Sequence, residues 1–169
     1  SLYGAHREQM DELDKLGIAY DVTPGVSSFS GAAAALCAEY TLPDVSQSVI
    51  ITRMAGRTPV PEGEQLRKMA SHGCTMVLFL STGLLEQVEE ELLAGGYTPD
   101  TPAAIVYKAT WPDEKVVRTT VQNIAEAAEE NVINKMELIL VGGFLGDRYE
   151  RSKLYDPTFS HLFREAKKG

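Results

Sequence analysis

The feature that constrains this chain most is an alternation of two periods. Short apolar runs at 49–52, 75–80, 103–107 and 138–141 are separated by stretches at 64–71, 84–93 and 121–130 in which apolar residues recur at helical spacing. A chain that repeats strand, helix, strand, helix lays its helices against a mostly parallel sheet, because each helix carries the chain back for a strand in the same direction. The run at 116–119 follows 103–107 across a short loop. Too short for a crossover, that loop predicts an antiparallel addition and hence a mixed sheet. The fold class read from this pattern is α/β, layered αβα.

The segment before residue 48 reads differently. Residues 4–16 carry Met10, Leu13 and Leu16 on one helical face, with Gly17 as a stop. Residues 18–22 alternate apolar and polar as a short strand, which Thr23-Pro24-Gly25 breaks. Ser27 or Ser28 can cap a helix over 29–39, whose small residues at 31–35 let another backbone approach closely. The pattern lapses around Pro43, which predicts a boundary between residues 1–47 and 48–169. In the second unit, Gly95-Gly96 closes the helix over 84–93. The stretch 144–169, with Asp147, Arg148, Glu150, Arg151, Lys153, Lys167 and Lys168, reads as a solvated arm and terminal helix.

Charge narrows the partners. With 16 Lys+Arg against 24 Asp+Glu, the chain carries a net charge of -8, which argues against nucleic acid or an anionic lipid surface. Any anionic ligand must then meet locally placed cations. No run of about 18 apolar residues and no basic-then-apolar leader is visible, so the expectation is a cytoplasmic protein with no membrane partner. Cys37 and Cys74 sit in apolar stretches and read as reduced core residues. His6, His72 and His161 are far apart and lack ligand spacing, so no metal site is expected. The chain opens at Ser1, without methionine and already close to helical pattern, and reads as beginning partway through something larger.

Four segments bear on chemistry. Val22-Thr23-Pro24-Gly25-Val26-Ser27-Ser28 is a strand end, a turn and a helix start, where amides and hydroxyls can converge on a ligand; a turn with a capping serine is the alternative. Arg53-Met54-Ala55-Gly56-Arg57-Thr58-Pro59-Val60-Pro61-Glu62 places two arginines on a proline-stiffened loop. They could clamp carboxylates, or pair with Glu62 or Glu64. Tyr107-Lys108-Ala109-Thr110-Trp111 leaves a strand with a small residue that would admit a flat ring and with the chain's one tryptophan; a hairpin connection is the alternative. Gly142-Gly143-Phe144-Leu145-Gly146 is glycine-rich but opens no convincing helix, so a strand-ending turn accounts for it better than a phosphate loop.

Taken in order, Ser1-Leu2-Tyr3-Gly4-Ala5, Pro24-Gly25-Val26-Ser27-Ser28-Phe29, Gly56-Arg57-Thr58-Pro59-Val60-Pro61 and Tyr107-Lys108-Ala109-Thr110-Trp111-Pro112 resemble the tetrapyrrole (corrin/porphyrin) methyltransferase family over essentially the whole chain. The Gly-Arg-Thr-Pro-Val-Pro block is most similar to the branch that methylates carbon 11 of precorrin-4 or cobalt-precorrin-4 in cobalamin biosynthesis. The resemblance implies two α/β domains with S-adenosylmethionine bound in the cleft between them and released as S-adenosylhomocysteine. Residues 1–47 would be the remaining part of the first domain and 48–169 the second. It also implies donor contacts at Leu2, Ser27, Ser28, Leu80, Ala109 and Thr110, and a homodimer. Tyr3 would border the tetrapyrrole. Arg53 and Arg57, and less so Lys108, would meet its carboxylates. Direct attack of a ring carbon on the sulfonium methyl needs alignment and dehydration more than a side-chain nucleophile, so no catalytic residue is named. A catalytically incomplete dimerisation or ligand-binding module is the competing reading.

Overall fold

The computed structural model describes residues 2–81, 83–152 and 160. Two helices come first, α1 (His6–Lys15) and α2 (Ser28–Leu36). There follow β1 (Val49–Arg53), α3 (Leu66–Ala70), β2 (Thr75–Phe79), α4 (Leu85–Gly95), β3 (Pro102–Tyr107), β4 (Lys115–Thr120), α5 (Ile124–Glu130) and β5 (Glu137–Val141). The strands form one mixed sheet in the order β1-β2-β5-β3-β4.

The sheet is mixed as expected, but it is not mostly parallel. Only β1 and β2 pair parallel; β5 is antiparallel to both β2 and β3, and β3 is antiparallel to β4. The helical crossovers behave as the sequence pattern demands, since β1, β2 and β3 run one way and β4 and β5 the other. The tight β3–β4 hairpin reverses the chain once. α5 then returns it to start β5 parallel to β4, and β5 fills the gap between β2 and β3. Periodicity reports the helix between two strands but not the slot a strand will take.

Alternation along the strands sends successive side chains to opposite faces. On one face Leu66 and Ala70 of α3, Val88 and Leu92 of α4, and Ile124, Ala127 and Ala128 of α5 bury against Met76, Leu78, Ile105, Ile139 and Val141. On the other, Ala32 and Leu36 of α2 join Phe144 over Val77, Ala104, Val106, Leu138 and Leu140. Each fully buried Val, Leu, Ile, Met or Phe among these contributes about 1.5–3 kcal/mol. Helices α3 and α4 touch closely at Gly95, where an added Cβ would stand 2.4 Å from the Cβ of Ala70 and 2.7 Å from the carbonyl oxygen of Arg67. Gly96, at φ 116°, takes the left-handed conformation that ends α4.

Three readings need correction. Residues 18–22 form no strand: Ile18, Tyr20 and Val22 are exposed, and no strand among the described residues runs beside them to accept their backbone hydrogen bonds. Cys37 is free but exposed, because it occupies the left-handed position just past Leu36, the last buried residue of α2. Phe144 belongs to the core and not to a solvated arm, because a 3₁₀ turn over Gly143–Leu145 folds it back under the sheet. The predicted terminal helix lies mostly outside the described residues. No helix among the described residues is long and apolar enough to cross a membrane.

Candidate functional site

Strands β1, β2 and β3 end, and β5 begins, at one edge of the sheet, where Arg53 pairs with Phe79 and Tyr107 with Glu137. The backbone there is strained. Leu80 (φ 50°), Lys108 (φ 46°), Thr110 (φ 72°) and Met136 (φ 56°) all occupy the left-handed region that L side chains disfavour. Such residues persist only where surrounding structure over-determines them, and they gather at ligand-binding edges. Lys108 and Met136 are tied directly, the amide of the first donating to the carbonyl of the second at 3.1 Å.

A groove of about 1030 Å³ opens beside this edge, lined among others by Leu2, Val22, Ser27, Ser28, Ile51 and Phe79. Ser27 holds the N-cap position of α2 with an extended backbone, yet its hydroxyl makes no capping hydrogen bond. The alternative reading of a capping serine is therefore not met. One turn further along α2, Gly31 faces the Cβ of Ala109 and the Cγ2 of Thr110. The small-residue stretch of α2 does admit a close neighbour, but it is the side-chain methyls of Ala109 and Thr110 that approach Gly31, not another backbone. Leu2, Ser27 and Ser28 thus share one groove, with Ala109 and Thr110 against the same helix. The Thr110 amide is already engaged, donating to a carboxylate oxygen of Glu114 at 2.6 Å.

A second groove of about 540 Å³ is lined by Arg53, Gly56, Arg57, Thr58, Leu80 and Leu84, among others. Its two arginines differ. The Arg53 guanidinium donates to the carbonyls of Met54, Thr58 and Pro59, at 3.3, 3.1 and 2.7 Å, and so closes the loop that follows β1. Arg57 is exposed and makes no ion pair among the described residues; the neighbouring Glu62 pairs instead with Lys68 at 3.7 Å. Leu80, which lines the same groove, is 66% exposed. Tyr3 lines neither groove but a smaller cavity of about 450 Å³ beside them, and its ring is tilted on Phe79 of the first groove with centroids 5.5 Å apart. Partial burial pushes its phenol upward, with Arg53 pulling the other way and Glu64 adding to the rise.

The loop between β3 and β4 is held by its own side chains. Lys108 forms an ion pair with Asp113, and its Nζ lies 5.0 Å from the Tyr107 ring centre and 5.4 Å from that of Trp111. The hydrogen bond raises the lysine and lowers the carboxyl of Asp113. The charge of Lys108 is thereby committed within the loop. Sequence reasoning passed over three residues at this edge. Phe79 lines the first groove and carries Tyr3; Ser81 is buried; Glu137 is 6% exposed, and neither of its carboxylate oxygens is hydrogen-bonded among the described residues. Each ends or flanks an apolar run, where periodicity registers core and gives polar atoms no weight.

Comparison with known proteins gives a consistent set of likenesses. The family described as Tetrapyrrole (Corrin/Porphyrin) Methylases matches residues 1–125. Cobalt-precorrin-4 C(11)-methyltransferase of Methanocaldococcus jannaschii is 51% identical over 169 residues, covering 99% of this chain and 65% of that protein. Precorrin-4 C(11)-methyltransferase of a Sinorhizobium species is 45% identical over 166 residues, covering 97% of this chain and 65% of that protein. Among solved structures, the cobalamin biosynthetic enzyme cobalt precorrin-4 methyltransferase CbiF superposes with a TM-score of 0.84 at 50% identity, over 86% of this chain and 61% of that one. Uroporphyrin-III C-methyltransferase from Thermus thermophilus, complexed with S-adenyl homocysteine, shares the fold at a TM-score of 0.70 and 22% identity, over 85% of this chain and 62% of that one. The chain spans about two thirds of the length of these relatives.

Proposed function

The chain belongs to the tetrapyrrole (corrin/porphyrin) methylase family, and we propose that it serves methyl transfer from S-adenosylmethionine to carbon 11 of precorrin-4 or cobalt-precorrin-4 in cobalamin biosynthesis. The observation that carries this reading is the 51% identity, over 99% of the chain, to a relative named for that reaction. The two adjoining grooves at the sheet edge are its physical counterpart.

The donor supplies an electrophilic methyl on a sulfonium centre. The groove beside α2 fits such a molecule: its volume of about 1030 Å³ exceeds a nucleoside, and it offers hydroxyls of Thr23, Ser27 and Ser28 alongside the apolar Leu2 and Phe79. Leu2, Ser27 and Ser28 would hold it from within this groove, Ala109 and Thr110 from the loop packed on α2, the small Ala109 leaving room for a flat ring, and Leu80 from the second groove. Apolar walls exclude water, which favours a displacement that depends on alignment. The tetrapyrrole is a polycarboxylate. Arg57, exposed and without an ion pair among the described residues, is assigned to a carboxylate, with Tyr3 bordering the macrocycle and Arg53 acting at the same groove. Residues 1–47 are assigned to the first domain of the family fold and 48–169 to the second. A cytoplasmic homodimer completes the reading.

Calorimetry with S-adenosylhomocysteine on this chain tests the donor site, with micromolar binding expected. Arg57→Ala should raise the KM for the tetrapyrrole and leave donor affinity unchanged; an unchanged KM would remove the assignment. The coverage of 65% of the relative's length favours a second reading, in which these 169 residues bind ligand without turnover. Donor binding with no methyl transfer by the chain alone would select it. Sedimentation velocity tests the dimer.

A further inference from the structure

Ser81 follows the strained, exposed Leu80, and it is itself 2% exposed. Its hydroxyl donates to the carbonyl of Phe79 at 2.8 Å and accepts the amide of Met54 at 3.2 Å. Met54 is the first residue beyond β1, so one buried oxygen joins the end of β2 to the start of the loop that carries Arg57. The far side of that loop is closed by the Arg53 guanidinium on the carbonyls of Thr58 and Pro59. Between these two fixings lie Ala55, Gly56 and Arg57, with Gly56 so close to Leu84 that an added Cβ would be 3.2 Å from its Cδ1. Leu80 and Arg57 both line the second groove. Neither residue lies in regular secondary structure.

We infer that Ser81 is a positioning residue: it holds the Arg57 loop and the kinked end of β2 in one fixed relation, so that two lining residues of the second groove, Arg57 and Leu80, are registered by a single hydroxyl. The buried hydroxyl spends its one donor on the Phe79 carbonyl and accepts the Met54 amide, and losing it leaves both without that partner. The loop between Met54 and Thr58 is then released at one end while the sheet beneath keeps its apolar packing. The consequence for ligand binding rests on the reading of the second groove as the polycarboxylate side.

Hydrogen exchange and limited trypsin cleavage of the full chain test this without reference to ligand. Ser81→Ala should speed exchange of the Met54 amide and cleavage after Arg57 by about tenfold, while amides of β2 and β5 keep their protection; Ser81→Thr, which retains the hydroxyl, should restore slow cleavage. Arg53→Met, which opens the loop from its other end, should reproduce the fast cleavage without disturbing the buried position. Equal loss of protection in β2 and β5 would make Ser81 a core residue only and overturn the inference, as would unchanged cleavage in Ser81→Ala. Binding of uroporphyrin, an eight-carboxylate probe, is measured in parallel. Severalfold weaker binding in Ser81→Ala than in wild type supports the inference, and equal binding by a loosened loop counts against it. If wild type itself ignores uroporphyrin while the cleavage pattern holds, the loop-fixing role stands and the polycarboxylate reading falls.

Discussion

Gly31 of α2 lies directly against Ala109 in the loop after β3: a Cβ built on the glycine would meet that of Ala109 at 3.4 Å, and the Cγ2 of Thr110 at the same distance. A single methyl just fits this gap, and a branched side chain does not. Gly31→Ala should therefore stabilise the chain, by up to about 1 kcal/mol from helix propensity. Gly31→Val should destabilise by about 1–3 kcal/mol through overpacking and displace Ala109 from the groove. Urea midpoints and S-adenosylhomocysteine calorimetry check the pair. Equal behaviour of the two variants would show that close approach is not what keeps residue 31 small.

The Lys108–Asp113 pair gives the β3–β4 loop a defined pH window. Asp113 is lowered chiefly by its hydrogen bond from Lys108, so its contribution is present above the ordinary carboxylate range and lost as pH falls through the lowered value. Lys108 is raised chiefly by the same bond and then by Tyr107, so its contribution is present below the ordinary lysine range and lost as pH rises through the raised value. Trp111 is the chain's one tryptophan and lies beside Lys108, which makes its emission a local reporter. Emission should stay flat between those two limits and change beyond each. Asp113→Asn should abolish the acid transition; an unaltered transition would assign it to another carboxylate.

Gly95→Ala should cost about 1–3 kcal/mol by overpacking, because the new methyl would enter the space of Ala70 and the Arg67 carbonyl, and one of these partners is backbone. The ion pair between Arg67 and Glu91 at 2.7 Å holds the same two helices and limits their ability to move apart. Gly63→Ala, where an added Cβ meets nothing within 4 Å among the described residues, serves as the control. Thermal unfolding of both variants decides it: similar melting temperatures would mean that α3 and α4 slide freely.

Glu137→Leu should stabilise the chain. The glutamate is buried on β5 with neither oxygen hydrogen-bonded among the described residues, and an unsatisfied buried polar group costs about 1–3 kcal/mol, more when charged. Leucine removes that cost and keeps most of the volume. A lower urea midpoint in this variant would show that the carboxylate is satisfied by a group supplied in solution.

Much of the fold is legible in the sequence because burial and period coincide. Val77 and Leu78, Ala104 and Ile105, and Leu140 and Val141 bury both faces of their strands and read as unbroken apolar runs. The β3–β4 hairpin is legible from loop length alone. The place of β5 is not, since strand order is a nonlocal property that no window around residues 137–141 contains. The site divides along the same line. The Ser27–Ser28 turn and the Arg53–Arg57 loop stand out through Pro, Gly and charge, which are local signals. What distinguishes Arg53 from Arg57 is invisible there, because the partners of Arg53 are backbone carbonyls and every sequence has those. Ser81 is hidden for the same reason.

The position of β5 also orders events during synthesis. β5 stands between β2 and β3 in space and follows both in the chain. Until residues 137–141 leave the ribosome, β1 with β2 and β3 with β4 are two separate ribbons, and the edges of β2 and β3 that β5 will occupy are open to other chains. The last of the described strands to be made is the one that joins the halves, through pairings as distant in sequence as Met76 with Val141. Completion of this core is therefore a late, long-range and comparatively slow step, and the nascent chain is most vulnerable to association just before it.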